Sequence, residues 1–259
     1  MTRVLVVGAA GRMGQSLVRA IEASGDLLLS AALEHASHAS LGQVVSGDVK
    51  LSADARAACA QAEVAVDFSS PASSLALLEA AEAVGLPLVI GTTGIDASGE
   101  GRIAQAAQLL PIVRAANFSI GATVLLELVA SAARRLEGYE IDVLEMHHDQ
   151  KKDAPSGTAI ALARAAAEAR GQELQHDAVY ARHGITGVRD PKSIGLQALR
   201  LGDSVGEHTV YFAGPGERIE LSHRALSREN FAAGALRAAR WLVGRPPGLY
   251  AMRDVLRPT

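Results

Sequence analysis

The segment VLVVGAAGRMG, residues 4–14, decides how the first half of the chain folds. It joins a short apolar run to a helical pattern through three glycines, Gly8, Gly11 and Gly14. This G-x-x-G-x-x-G spacing is a variant of G-x-G-x-x-G, in which a tight turn leaves a strand and the N–H groups of the following helix face a pyrophosphate. Because glycines are also typical of ordinary turns, the segment predicts a dinucleotide-binding loop only in a suitable context.

That context is an acidic residue at the end of the next apolar run. Glu34 follows the run Leu27–Leu33 and lies 20 residues after Gly14 (34 − 14). A carboxylate at this place accepts hydrogen bonds from the adenosine ribose hydroxyls, although a solvated strand-end glutamate gives the same pattern. Glu34 also disfavours a 2′-phosphate, which His35 or Arg12 could offset. We therefore predict NADH, NADPH or both as the cofactor, with a preference for NADH or for dual use.

Farther along the first half, apolar runs alternate with helical patterns. The later runs are Val64–Phe68, Leu88–Ile90 and Ile112–Ala116. Strands that alternate with helices predict a parallel sheet with helices on both of its faces.

The pattern changes after Asn117. Helices are predicted over about 122–136 and 228–243, strands over 140–146, 194–201, 207–213 and 217–225, and a long loop over 183–192. Successive strands joined by short turns indicate an antiparallel or mixed sheet. The predicted fold class is therefore α/β, with a Rossmann-like parallel-sheet nucleotide domain and a second, α+β domain that has a mixed or antiparallel sheet.

Composition excludes several classes of protein. The 259 residues carry a net charge of −3, which argues against a nucleic-acid-binding protein. The single cysteine, Cys59, excludes an intrachain disulfide and a cysteine-rich zinc site. No uninterrupted apolar stretch reaches the roughly 18 residues of a membrane span. The apolar run after Arg3 resembles a short signal peptide, but its flanking glycines favour a buried strand. We expect a cytoplasmic protein with no membrane partner.

The densest polar stretch of the chain is Glu145–Thr158. Ser156 or Thr158 can cap a following alanine-rich helix, and the free N–H groups of Gly157 and Thr158 would then bind an anion. Lys151 adds a nearby cation, which suits a small carboxylate substrate. His147 and His148 alternate across a strand, so one of them is expected to face the ligand as a proton donor.

Three other interpretations of this stretch remain open. Charged residues cluster in many exposed loops, and polar residues also fill subunit interfaces. A metal site is the third interpretation, but no His-Glu-x-x-His pattern and no cysteine partner supports it. No metal ligand is predicted.

Taken together, these motifs resemble the 4-hydroxy-tetrahydrodipicolinate reductase family over nearly the whole chain. The similar segments are 7–14, Gly91–Gly94, Ala115–Ser119, Glu145–Thr158, Ile194–Gly195, Arg200–Asp203 and Gly206–Thr209. The segment Glu145–Thr158 is similar to the family pattern Glu-x-His-His-x-x-Lys-x-Asp-Ala-Pro-Ser-Gly-Thr. Because that pattern is long and chemically mixed, chance agreement is negligible.

The resemblance implies roles for individual residues. The residues implied to bind the cofactor are Gly8, Ala9, Ala10, Gly11, Arg12 and Met13 at the pyrophosphate, Glu34 and His35 at the adenosine ribose, and Gly91, Thr92, Thr93, Ala115, Ala116, Asn117 and Phe118 at the nicotinamide half. His147 is implied to exchange a proton, with Lys151 as a second proton donor, and the choice between them stays open. His148, Gly157 and Thr158 are implied to bind the substrate carboxylates.

The resemblance also implies an activity and an assembly. The reaction would be the NAD(P)H-dependent reduction of 4-hydroxy-tetrahydrodipicolinate, a small dicarboxylate heterocycle, in lysine and diaminopimelate biosynthesis. The nucleotide domain would comprise residues 1–118 with 229–259, and residues 119–228 would bind substrate and form a homotetramer. Many members carry Arg after the acidic residue, whereas His35 stands here, so no strong NADPH preference is implied. Another imine reductase and an NAD(H)-binding regulator without turnover remain alternatives.

Overall fold

The computed structural model describes residues 1–257, and its contacts divide the chain into two compact units. Unit 1 contains Met1–Ile120 and the described residues from Arg228 onward, and unit 2 contains Gly121–Ser227. Residues 258 and 259, which the sequence prediction places in the nucleotide domain, lie outside the described residues. Each unit has its own hydrophobic core.

Strands and helices alternate through the first half of the chain, except that three strands follow one another between the first two helices. In chain order they are β1 (Thr2–Val7), α1 (Arg12–Glu22), β2 (Leu27–Leu33), β3 (Val44–Ser46), β4 (Val49–Ser52), α2 (Ala55–Ala60), β5 (Val64–Asp67), α3 (Pro71–Val84), β6 (Leu88–Ile90), α4 (Ala97–Ala106), β7 (Pro111–Arg114), α5 (Ile120–Arg135), β8 (Glu140–His147), α6 (Gly157–Ala169), α7 (Leu174–Asp177), β9 (Ala178–Val179), β10 (Ile194–Arg200), β11 (Gly206–Gly214), β12 (Glu217–Ala225), α8 (Glu229–Leu242), β13 (Gly248–Tyr250) and α9 (Met252–Leu256).

Unit 1 is built on an eight-stranded sheet. Its strand order is β13-β7-β6-β5-β1-β2-β4-β3, and every neighbouring pair is parallel except β3 and β4. The central strands are continuous apolar runs because parallel strands are covered by helices on both faces. Val4–Val6 of β1 and Val64–Val66 of β5 are fully buried. The predicted Rossmann-like parallel sheet is confirmed, and its edge strands β13 and β3 are only three residues long.

Two clusters of apolar side chains cover the two faces of this sheet. One contains Leu17 and Ile21 of α1 together with Leu236 and Leu242 of α8. The other draws on α2, α3 and α4, for example through Leu77 of α3. The segment that contains α8 therefore completes the core of unit 1, although it follows unit 2 in the sequence.

Unit 2 is built on a five-stranded sheet with the order β12-β11-β8-β10-β9. The pairs β12–β11 and β11–β8 are antiparallel, whereas β8–β10 and β10–β9 are parallel. The predicted choice between an antiparallel and a mixed sheet is thus decided for the mixed sheet. Val143 of β8 and Phe212 of β11 face a core shared with Leu162 of α6 and Leu125 of α5. Residues 183–192 contain no helix or strand, in agreement with the predicted loop.

No helix within residues 1–257 has both the length and the apolar character needed to cross a membrane.

Candidate functional site

In unit 1, the glycines after β1 are required by close packing. Gly8 has a φ of +75°, and a Cβ atom there would lie 2.7 Å from the carbonyl oxygen of Phe68. A Cβ atom at Gly14 would collide with the carbonyl oxygen of Gly8. Gly11 precedes α1 without a side-chain cap, so the first N–H groups of the helix lack partners within it. The N–H groups of Gly8 and Ala9 bind the Leu33 carbonyl and that of Gly11 binds the Gly8 carbonyl, so the part of this loop suited to a pyrophosphate is the start of α1.

The other predicted residues of this loop differ in exposure. Ala9 is buried, Ala10 and Met13 are half-buried, and Arg12 is exposed. Only Arg12 offers a mobile charged side chain at the start of α1, where a phosphate would bind.

Glu34 lies directly after β2 and contacts the glycine loop. Its Oε2 accepts a hydrogen bond from the Ala10 N–H at 3.2 Å, and its Oε1 accepts one from the His35 N–H at 3.1 Å. The half-buried Glu34 and the exposed His35 line a cavity together with Ser69 and Ser73. The lining contains neither Lys nor Arg among the described residues, so a ribose hydroxyl fits this cavity better than a 2′-phosphate.

The loops after β5 and β6 are held together by a buried carboxylate. Asp67 is fully buried, and its Oδ1 accepts hydrogen bonds from the Ser69 N–H at 3.0 Å and the Ser69 hydroxyl at 2.5 Å. Its Oδ2 accepts one from Ser74 of α3. The Ser69 N–H also donates to Oγ1 of the buried Thr92 at 3.0 Å. Burial raises the pKa of Asp67 and outweighs the hydrogen bonds, which lower it.

The predicted nicotinamide-side residues of this region differ in exposure, and all but Thr93 are buried. A Cβ atom at Gly91 would collide with the ring of Phe68, whereas Thr93 is exposed. Phe118 is 1% exposed and packs edge-to-face on Phe68 with ring centroids 5.4 Å apart. Phe118 therefore belongs to the core of unit 1.

The segment before Phe118 ends β7 and turns into α5. Ala115 donates its N–H to the carbonyl of Ile90 at 3.2 Å, and Ala116 is exposed. Asn117 Oδ1 accepts a hydrogen bond from the Ser119 N–H at 2.7 Å. These contacts fix the path of the backbone after the strand.

In unit 2, a fully buried carboxylate organises the end of β8. Glu145 Oε1 accepts hydrogen bonds from Arg200 Nη2 at 2.8 Å and from the Ser156 N–H at 3.0 Å. Its Oε2 accepts one from Arg200 Nη1 at 2.9 Å and lies 2.6 Å from His147 Nδ1. Burial alone would raise the pKa of Glu145, but these hydrogen bonds outweigh burial and hold the pKa below its usual value.

His147 is the last residue of β8, and its side chain is 11% exposed. Its ring packs edge-to-face on the ring of His208, with centroids 5.3 Å apart. A Cβ atom at Gly206 would lie 2.9 Å from His147 Nε2. Burial lowers the pKa of His147 and outweighs Glu145, which raises it.

Two further predicted residues follow β8 in the loop. His148 is half-buried, and its N–H donates to the Ser204 carbonyl at 2.8 Å. Lys151 Nζ donates to both carboxylate oxygens of Asp153 at 2.8 Å, and its side chain is 20% exposed. Lys151 therefore has an exchangeable surface partner and can reach an incoming anion.

The first turn of α6 is capped by Ser156, not by Thr158. Ser156 Oγ accepts a hydrogen bond from the Ala159 N–H at 3.1 Å and lies 2.9 Å from His208 Nε2. Burial lowers the pKa of His208 to about 4, so this histidine is neutral at pH 7. Gly157 is exposed and Thr158 half-buried at the first two positions of the helix. The positive end of the helix dipole therefore lies where the sequence predicts an anion site.

Sequence reasoning assigned no role to Glu145, Arg200 or His208. Arg200 pairs with His147 across β10 and β8, and His208 pairs with Glu145 across β11 and β8. Their sequence separation from β8 hides these contacts until the strand register is known. The alternation of Glu145 and His147 along one strand was the available signal, because residues two apart share a face.

Two family models match the chain. The model described as "Dihydrodipicolinate reductase, N-terminus" matches residues 2–118, and the one described as "Dihydrodipicolinate reductase, C-terminus" matches residues 121–256. The chain belongs to the dihydrodipicolinate reductase family.

Curated relatives and a solved structure agree with this family. The 4-hydroxy-tetrahydrodipicolinate reductase of Thiobacillus denitrificans is 48% identical over 261 residues, which cover 98% of each chain. That of Anaeromyxobacter dehalogenans is 48% identical over 264 residues, 99% of this chain and 98% of the relative. A dipicolinate-bound dihydrodipicolinate reductase from Paenisporosarcina sp. TG-14 is 25% identical and superposes with a TM-score of 0.81, covering 99% of this chain and 100% of that one.

Within residues 1–257, no group of three or more His, Cys, Asp or Glu side chains is arranged to hold a metal ion.

Proposed function

We propose that the protein reduces 4-hydroxy-tetrahydrodipicolinate to tetrahydrodipicolinate, with loss of water, in lysine and diaminopimelate biosynthesis. One observation carries the proposal beyond family membership. A histidine suited to proton exchange, His147, and the residue that caps an anion-binding helix, Ser156, are bound to the same buried carboxylate, Glu145. A reaction that adds a proton to a dicarboxylate needs both groups close together.

The residues of unit 1 fit a bound NADH or NADPH. The glycine loop from Gly8 to Gly14 has no room for Cβ atoms at its ends, and Glu34 lines a cavity suited to a ribose. The loops at 91–93 and 115–118 offer backbone groups for the nicotinamide half. When bound, the cofactor supplies a hydride to carbon 4 of the unsaturated ring that forms when the substrate loses water. We infer that both cofactors are used, with no strong preference for NADPH.

The residues of unit 2 supply binding and the proton. The N–H groups of Gly157 and Thr158, the Lys151 ammonium and His148 bind the two substrate carboxylates and neutralise their charge. Hydride addition leaves an electron-rich, enamine-like ring that must gain one proton at carbon 3. His147 or Lys151 delivers that proton, and the ring then carries one more hydride and one more proton than before.

We further propose a cytoplasmic homotetramer that binds no nucleic acid. Fully or largely exposed apolar side chains in unit 2, Ile185, Val188 and Leu226, support burial against further copies of the chain. The net charge of −3 supports the absence of a nucleic-acid partner. The cytoplasmic location is supported by the proposed cofactor, which is a cytoplasmic metabolite.

A coupled assay tests the proposed activity. Pyruvate and aspartate semialdehyde are incubated with the synthase that condenses them, and the near-ultraviolet absorbance of NADH or NADPH is followed. We expect absorbance to fall only when the synthase and this protein are both present, and the ratio of the two rates measures cofactor preference. Cofactor binding without any loss of absorbance would instead indicate another imine reductase or a nucleotide-binding regulator.

A further inference from the structure

We propose that Glu145 is a positioning residue that keeps the proton of neutral His147 on Nδ1, so that Nε2 is the atom that exchanges a proton with substrate. The inference rests on the proposed function for its role in turnover. Glu145 and His147 lie two residues apart on β8 and therefore share a face of the sheet. Glu145 Oε2 and His147 Nδ1 are 2.6 Å apart, which is the length of a strong, charge-assisted hydrogen bond.

The partners of Glu145 decide which atom carries the hydrogen. Arg200 binds both carboxylate oxygens, at 2.8 and 2.9 Å, and the Ser156 N–H binds one of them at 3.0 Å. These donors keep the carboxylate ionised, and an ionised carboxylate can only accept hydrogen bonds. The hydrogen between Glu145 and His147 must therefore reside on Nδ1, which leaves a lone pair on Nε2 of the neutral ring.

The space beside Nε2 supports the same assignment. Position 206 on β11 is a glycine, and a Cβ atom there would lie 2.9 Å from Nε2. Any larger residue at position 206 would crowd the nitrogen that the bond to Glu145 leaves available. Glu145 binds the Nδ1 side of the His147 ring, and Gly206 leaves space on the opposite, Nε2 side.

The same carboxylate also fixes the ring relative to the proposed substrate anchor. Oε1 of Glu145 accepts the Ser156 N–H, and Ser156 is the cap of α6. On its other side, the Ser156 hydroxyl is held by His208. A shift of Glu145 would therefore move the proton-exchanging ring and the first turn of α6 together.

The groups that set the charge of His147 come from several elements. They are Glu145 on β8, Arg200 on β10, His208 on β11 and Lys151 in the loop after β8. Glu145 is the one group among them that favours the protonated ring, because Arg200 and Lys151 oppose a further positive charge. Removing its charge should lower the pKa of His147 below the value in the unchanged protein.

The test compares the protein with its Glu145→Gln variant by nitrogen NMR of ring-labelled histidine, with the His147 signals assigned from a His147→Gln spectrum. In the unchanged protein we expect the neutral ring to be the Nδ1–H tautomer. In the variant, the amide oxygen is retained by the Ser156 N–H and Arg200, so the amide NH2 faces Nδ1 and the proton moves to Nε2. We expect kcat to fall by about 10² and its pH profile to shift to lower pH.

Asp142→Asn is the matched control. Asp142 is another arginine-bound carboxylate on β8, half-buried and bound by Arg182 at 3.0 Å and Arg189 at 2.9 Å, and its hydrogen bonds do not include His147. Its loss should cost stability without moving the tautomer or the pH profile. A merely structural role for Glu145 would make the two variants alike.

Two results would overturn the inference. One is an Nε2–H tautomer in the unchanged protein, which decides the matter even if Glu145→Gln fails to fold. The other is an unaltered tautomer and pH profile in a folded Glu145→Gln variant. The NMR measurement needs no turnover. If the unchanged protein were inactive in the coupled assay but Glu145→Gln still moved the tautomer, the proposed function would be refuted and the positioning role upheld.

Discussion

Lys151 and Lys152 are neighbours in the chain but have different surroundings. Lys151 is held by Asp153 beside the start of α6, whereas Lys152 is exposed. We expect Lys151→Ala to lower kcat by about 10² to 10⁴, the range for loss of a proton donor, because the variant lacks both that donor and a charge for the substrate carboxylates. Its affinity for NADH, measured by fluorescence titration, should stay unchanged. Lys152→Ala is the control, and equal rates for the two variants would contradict the role given to Lys151.

The buried Asp67 should make the free energy of unfolding depend on pH. Its pKa is raised in the folded protein above the value of about 3.9 in an unfolded chain. The folded state then binds the proton more tightly, so the stabilising contribution is present below pH 3.9 and is lost as the pH rises through the folded pKa. We expect the free energy of unfolding of the unchanged protein, relative to Asp67→Asn, to fall with rising pH. Each unit of pKa shift corresponds to about 1.4 kcal/mol.

Denaturant titrations at pH 4 and pH 7 measure this difference. Asp26→Asn is a control of opposite sign, because the hydrogen bond from Arg240 lowers the pKa of the exposed Asp26. Relative to that variant, the unchanged protein should gain stability with rising pH. A pH-independent difference for Asp67→Asn would show that Asp67 does not titrate differently in the folded state.

At the scale of single elements, replacing a glycine by alanine should have opposite effects on stability in α1 and in α4. Gly14 lies in the first turn of α1, where a Cβ atom would collide with Gly8, whereas a Cβ atom at Gly101 of α4 meets no atom within 4 Å. Gly14→Ala should displace the loop, destabilise the protein and weaken NADH binding. Gly101→Ala should stabilise it by about 0.5–1 kcal/mol, because alanine loses less entropy in a helix. Thermal unfolding with and without NADH separates the two effects.

The same scale shows which elements the sequence could predict. The strands β1, β5 and β6 are visible because parallel strands buried on both faces are nearly continuous apolar runs, and β2 is interrupted by Ser30 alone. The strands β3, β4 and β13 have three or four residues and mixed polarity, too short for any periodicity to show. The first turn of α6 was located, but the choice between Ser156 and Thr158 as its cap depended on backbone geometry.

Some functional residues can likewise be predicted from the sequence, and others cannot. The proposed roles of His147 and Lys151 follow from a contiguous polar segment that any reading of the sequence encounters. The partners of Glu145 lie on other strands, and Arg200 is 55 residues away. Only strand pairing brings the guanidinium to the carboxylate, so no local pattern in the sequence could predict that ion pair.

At the scale of the whole molecule, we expect the oligomeric state to depend on exposed apolar residues of unit 2. Ile185 and Val188 are fully exposed in the loop 183–192. Replacing both by Asp should leave the fold of one chain intact but prevent their burial between copies. We expect sedimentation to show a tetramer for the unchanged protein and smaller species for the double variant. Leu109→Asp, an exposed apolar position of unit 1, is the control. A monomeric unchanged protein would refute the proposed assembly.

The short edge strands of the eight-stranded sheet have a further consequence, for solubility. Unpaired N–H and C=O groups along a sheet edge are templates on which a foreign strand can add. Here β3 and β13 each offer only three residues, too few to hold an added strand of ordinary length. The long apolar strands lie inside the sheet, where their own neighbours occupy every ladder. Aggregation through the edges of this eight-stranded sheet should therefore require unfolding, and a ligand that slows unfolding should also reduce it.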